Sequence, residues 1–111
     1  MSPKQMSLLQ GTLDVLVLQA LAHDARHGYG VAEWIRATTR GALEIEDGAL
    51  YTSLHRMSKR GWLEASWGLS ENNRRAKYYA LTDEGRAALD EAAADWTRYA
   101  EAMARVLATG R

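Results

Sequence analysis

Near the end of the chain, Leu89, Ala93, Trp96, Ala100, Met103 and Leu107 recur with alternating spacings of four and three residues. That is the heptad period of a helix packing along another helix. A helix from Thr82 to about Thr109 is about 40 Å long at 1.5 Å per residue, longer than a core of about 80 residues can cover. Most of its seam therefore faces solvent in a single copy. A second copy is the economical partner, since a two-fold axis makes the same seam complementary to itself. The six seam residues are the candidate dimerisation contacts. The 111 residues then divide into a compact unit at 1–81 and a dimerisation helix at 82–111.

Upstream of the seam, glycines fall where elements should end. The first helix is expected from Ser7 to Ala22, with one apolar stripe at Leu9, Leu13, Leu16 and Ala20 and a second at Leu8, Val15, Leu18 and Ala22. The pattern breaks over His23 to His27. A second helix follows from Gly28 to Arg40, with Val31, Trp34, Ile35 and Thr38 at core spacing and Gly41 as its stop. After the acidic connection Glu44 to Asp47, a third helix runs from Gly48 to Arg60, with Asp47 as its N-cap and Gly61 beyond its end. Leu50, Leu54 and Met57 form its buried stripe, leaving Tyr51, Thr52, His55, Arg56 and Lys59 outward. Trp62 to Trp67 alternates as a strand, Gly68 to Asn73 is a polar turn, and Arg75 to Leu81 is a second strand. The parity of Tyr79 with Leu81 sends Tyr79 to the core and Tyr78 outward. Thr82 is the candidate N-cap of the last helix, with Asp83 and Glu84 in its positive first turn; Gly85 stands where a capping box places Glu or Gln.

Composition removes several classes of function. With no cysteine, disulfide frameworks, thiolate nucleophiles and Cys-based zinc sites are excluded, and a reducing cytoplasm is the expected location. No apolar run approaches the roughly 20 residues that span a bilayer, so no membrane partner is expected. Thr12 to Ala22 is interrupted by Asp14 and Gln19 and reads as a helix, not a leader. His23, Asp24 and His27 supply too few ligands, in a segment without helical period, to hold a metal. No nucleophile with a base, glycine-rich phosphate loop or paired carboxylate points to catalysis. Neither an enzyme nor a cofactor is expected.

The charge sum, 14 basic against 14 acidic residues, gives no global attraction for nucleic acid. Its distribution does. Residues 1–51 carry 4 basic and 6 acidic groups, 52–81 carry 6 and 2, and 82–111 carry 4 and 6, so a +4 middle lies between two flanks of −2. Three helices followed by a hairpin is the order of a winged helix-turn-helix, mainly α with a small β-hairpin, whose third helix enters the DNA major groove. The +4 segment is that helix and hairpin. Thr52, His55 and Arg56 are the candidate base contacts, Lys59, Arg74, Arg75 and Lys77 the candidate phosphate contacts, and Tyr78 an outward wing residue beside them. Glu44 to Asp47 help to place the third helix.

Five segments in order carry a family resemblance: Gly11-Thr12-Leu13-Asp14, His27-Gly28-Tyr29-Gly30, Gly48-Ala49-Leu50-Tyr51 with Leu54-His55-Arg56, Gly61-Trp62-Leu63, and Arg74 to Thr82. Over nearly the whole chain they resemble the PadR family of bacterial transcriptional regulators. The resemblance implies a homodimeric winged-helix repressor on a palindromic double-stranded DNA operator, dimerised by a short C-terminal helix. It also implies that the hydroxyls of Tyr29 and Tyr51 reach phosphates. At Trp96, between small Ala93 and Ala100, it allows a small flat aromatic effector, beside the plainer role of seam packing. Two positions depart from the family pattern: Thr52 stands where proline is common, and Trp34 where a polar residue is usual, as part of either the core or a ligand pocket. The alternative is a winged-helix module that senses a ligand or binds a protein without an operator, and such a module has no need of the +4 segment.

Overall fold

The computed structural model describes residues 12–110, so Ser7, Leu8, Leu9 and Gly11, at the expected start of the first helix, lie outside the described residues. Its elements are α1 (Leu13–Ala20), β1 (Arg26–His27), α2 (Gly28–Thr38), α3 (Asp47–Lys59), β2 (Leu63–Leu69), β3 (Arg75–Leu81) and α4 (Asp83–Ala108). The fold is mainly helical, as expected. The sheet, however, has three antiparallel strands in the order β1-β3-β2. Strand β1, with Arg26 opposite Tyr79 and His27 opposite Tyr78, turns the hairpin into a sheet joined to the helical body.

Helix α1 touches α2, α3 and α4, and this explains why its buried residues do not follow the two expected stripes. Val17, Leu18 and Ala20 are buried, with Leu21 and Ala22 just beyond the helix; Val17 belonged to neither stripe. In α2 only Val31 and Ile35 of the expected set are buried. Trp34 is half-buried and Thr38 exposed, because residues 36–38 have run past the edge of the core. In α3 the expected stripe of Leu50, Leu54 and Met57 is buried, together with Ser53. Fully burying side chains of this size stabilises by about 1.5–3 kcal/mol each.

Helix ends follow the glycines. Gly41 and Gly61 take φ of 81° and 84°, and after α3 the N–H of Trp62 donates to Met57 O at 3.0 Å, closing the last turn. The N-cap of α3 is Glu46, with no side-chain capping bond, and not Asp47. Asp47 lies inside the first turn, where its carboxylate acts on the helix dipole instead of on one N–H. Strand β2 also runs two residues further than expected, through Gly68 and Leu69, which leaves Ser70 to Arg74 as the turn.

Thr82 ends the wing and begins α4. Its N–H donates to Trp62 O at 3.1 Å, its hydroxyl donates to Gly61 O at 2.6 Å, and the same oxygen accepts from Gly85 N–H at 3.0 Å. Gly85 is there because the helix passes against the backbone just before β2: a Cβ on it would lie 2.0 Å from Trp62 O. That close approach, not capping chemistry, decides the residue. Leu89 reaches into the core of its own chain, 3% exposed. From residue 94 to 110 every residue of α4 and its cap is exposed.

Candidate nucleic-acid interface

Helix α3 turns Tyr51, Thr52, His55 and Lys59 to solvent. Arg56, expected among them, is held from behind: its guanidinium pairs with the Asp14 carboxylate of α1, which also accepts a hydrogen bond from the buried Ser53 hydroxyl at 2.7 Å. Asp14 therefore ties α1 to α3 through two residues of one helix face. No local pattern announces such a contact, since the partners are 42 positions apart.

The N-terminus of α2 faces the same side. His27 is its N-cap, with Nδ1 accepting from Gly30 N–H at 2.9 Å, while Nε2 lies 3.4 Å from Glu71 of the wing turn. A backbone hydrogen bond and, next, the His27 ring hold the Glu71 carboxyl below the usual carboxylate range. The phenol of Tyr51 lies on Gly28, so close that a Cβ there would be 2.6 Å from the Tyr51 hydroxyl oxygen. Tyr29 stands exposed beside it. An open groove of about 1030 Å³ follows, lined by Tyr29 and Trp34 of α2, Tyr51 of α3, and Trp67, Arg75 and Lys77 of the wing.

Strand register decides which wing residues meet this groove. The pairs Ala65↔Tyr79, Trp67↔Lys77 and Leu69↔Arg75 share the face that carries buried Tyr79, because directly opposed residues point the same way. Arg75 lies over the Trp67 ring at 4.2 Å and Lys77 over the Tyr79 ring at 6.0 Å. Tyr78 is on the other face, packed on His27 with ring centroids 5.2 Å apart, and its hydroxyl donates to Leu69 O at 2.7 Å. Of the wing residues singled out from the sequence, Arg75 and Lys77 are thus brought together, Tyr78 is on the other face, and Arg74 lies in the turn, outside the lining of the groove. Burial, then the neighbouring Tyr51, pushes the Tyr79 phenol up. Trp34, one of the two departures from the family pattern, is half-buried on the groove wall beneath Arg26, 5.9 Å from its ring.

Cations are concentrated on this face, although Arg40, Arg60, Arg86 and Arg105 also stand outside the ion pairs of the described residues. Arg26, Arg36, Arg56 and Arg98 are each matched with a carboxylate. Lys59, Arg74, Arg75 and Lys77 are exposed and, among the described residues, stand in none of the ion pairs. On α4, the seam beyond Leu89 is open: Ala93 is partly buried, Trp96 is 40% exposed and Leu107 59% exposed, with Met103 between them similarly open. Trp96 and Tyr99 lie with ring centroids 5.7 Å apart. Two further residues belong to the site: Trp67, which its parity with buried Leu63 sets on the groove face, and Asp14, which enters the sequence pattern only within the motif Gly11 to Asp14, with nothing there to name its partners on α3.

The sequence model of the transcriptional regulator PadR-like family matches residues 17–91, from α1 through the wing into α4. The chain belongs to the PadR-like family. A PadR family transcriptional regulator from Eggerthella lenta is 30% identical, with TM-score 0.73 over 91% of this chain and 86% of that one. One from Clostridium difficile is 26% identical, with TM-score 0.73 over 87% and 99%. An uncharacterized protein of Lysinibacillus sphaericus is 29% identical over 94 residues, 85% of this chain and 86% of that one. The PadR-like winged helix is a DNA-binding fold of transcriptional regulators, and its third helix and wing are the elements built above. Among the described residues of this PadR-like chain, no helix is long and apolar enough to cross a membrane.

Proposed function

We propose that the chain is a cytoplasmic, homodimeric repressor of a palindromic DNA operator, the α3 helices of the two copies entering successive major grooves about 34 Å apart. The observation that carries this reading is the clustering of four exposed cations, Lys59, Arg74, Arg75 and Lys77, on the end of α3 and the wing, none of them in an ion pair among the described residues. Fixed, unmatched cations on a protruding helix and hairpin are what phosphate binding requires, and each releases condensed counterions from the duplex.

In this reading Thr52 and His55 meet base edges, and the hydroxyls of Tyr29 and Tyr51 meet phosphates at the mouth of the groove. Arg56 serves from behind by fixing α3 on Asp14, and Tyr78 stiffens the wing. Residues 1–81 form the reading unit and 82–111 the dimerisation helix, whose seam of Ala93, Trp96, Ala100, Met103 and Leu107 meets its copy. An exposed apolar stripe of this length calls for a partner. Trp96, with Tyr99 beside it and small residues one turn away, offers a flat aromatic molecule a place at that interface, from which it would release the operator. The action is binding, without catalysis.

The test is a titration of the full chain against labelled duplex from the region upstream of its own gene, over a range of salt, with sedimentation of the free protein. Preference for a palindrome in that region and a dimer are expected. Replacing Arg74 and Arg75 together by Ala is expected to lower the log–log salt slope by about 2. An unchanged slope removes the wing from the interface, and a monomer that still binds the palindrome tightly removes the dimer.

A further inference from the structure

Trp67 is an indole in the open. Beyond Leu63 no residue of β2 is buried, and Trp67 itself is 59% exposed, so packing in its own core does not account for it. What covers it is a cation. The guanidinium carbon of Arg75 lies 4.2 Å from the ring centroid, closer than any other cation in the described residues comes to an aromatic ring. Cross-strand register makes the contact: Trp67 opposes Lys77 and Arg75 opposes Leu69, which sets Trp67 and Arg75 on one face as diagonal neighbours, within reach of long side chains.

We infer that Trp67 is a positioning residue for DNA binding, a platform that holds Arg75 ready for a backbone phosphate. A guanidinium stacked on an aromatic face keeps its N–H donors in its own plane and free, whereas one paired with a carboxylate turns a donor to it, as Arg56 does to Asp14. A stacked side chain has also lost part of its rotamer freedom before DNA arrives, so less is lost on binding. The charge that meets the phosphate is Arg75's; Trp67 changes how often it is in place. This inference rests on the wing contacting DNA, as proposed above.

Because Trp67 acts only through Arg75, the two substitutions should not add. The experiment measures binding of the full chain to a labelled mixed-sequence duplex of about 30 base pairs across a salt series, for Trp67→Ala, Arg75→Ala, the double variant and Trp67→Tyr. Trp67→Ala is expected to weaken binding about two- to fivefold, the worth of an exposed cation–π contact, with the salt slope unchanged because no charge is lost. Arg75→Ala lowers the slope by about 1, the double variant is no weaker than Arg75→Ala, and Trp67→Tyr restores binding. Wild-type affinity in Trp67→Ala, or losses that add in the double variant, overturns the platform while leaving the wing on DNA. An Arg75→Ala protein with unchanged affinity and slope overturns both.

Discussion

Gly85 and Trp62 are in backbone contact: the start of the last helix passes so near the root of the wing that the Trp62 carbonyl oxygen would sit 2.0 Å from any Cβ at position 85. The obstacle is main chain, which cannot swing aside as a side chain can. Gly85→Ala must therefore shift α4 away from the wing, straining the Thr82 bonds to Gly61 and Trp62. Overpacking of this kind costs about 1–3 kcal/mol. A urea midpoint lowered accordingly, with helix content retained, is the expected result; an unchanged midpoint would show that the junction yields freely.

Asp14 serves two donors of unequal exposure. Arg56 keeps 42% of its side chain in solvent, so Arg56→Ala is expected to cost less than about 1 kcal/mol, as for a screened surface pair. Asp14→Ala also strands the buried Ser53 hydroxyl, and an unsatisfied buried donor costs about 1–3 kcal/mol. Equilibrium unfolding should rank Asp14→Ala well below Arg56→Ala in stability. The reverse order would mean that Ser53 finds another acceptor.

Tyr79 gives the fold an alkaline limit. Burial raises its phenol above the ordinary value of 10.0, so the folded protein holds this proton more tightly than the unfolded chain does. The stabilisation is fully present below the unfolded value and is lost as pH rises through the raised folded one. Thermal melts from about pH 9 to about pH 12 should show a falling limb that is shallower in Tyr79→Phe. A limb of equal steepness in the variant assigns it to other groups.

Trp96→Asp places a charge in the middle of the exposed seam without touching the core, since residues 94–110 are all exposed in the single chain. The variant should fold, sediment as a monomer and lose preference for a palindromic duplex. A variant that remains dimeric would move the interface off this seam.

Several features read from a period, a cap or a stop glycine agree with the structure, namely the bounds of β3, Thr82 as the cap of α4, Gly41 and Gly61 as terminators, and the stripe of Leu50, Leu54 and Met57. Asp47 as a cap, the two stripes of α1 and the core places of Trp34 and Thr38 do not. Two residues cannot display a period, and β1 was invisible for that reason. Val17 escaped notice because α1 is enclosed by three other helices, and stripe reading assumes one buried face. In the candidate site, residue types and charge identified the cations, but their grouping follows from strand register, which separates Tyr78 from Lys77 and joins Trp67 to Arg75. The Asp14–Arg56 tie is purely tertiary.

Thr82 closes the wing and opens α4 with no spacer between them. The reading head and the axis of the proposed dimer are therefore one lever, hinged on a single residue that is hydrogen-bonded on both sides. Such a lever has little slack. Each base pair added between two half-sites moves the second one by about 3.4 Å and turns it by about a tenth of a helical revolution, and no flexible linker is present to follow that motion. An operator matched to this protein has to be defined by its spacing as strictly as by its bases.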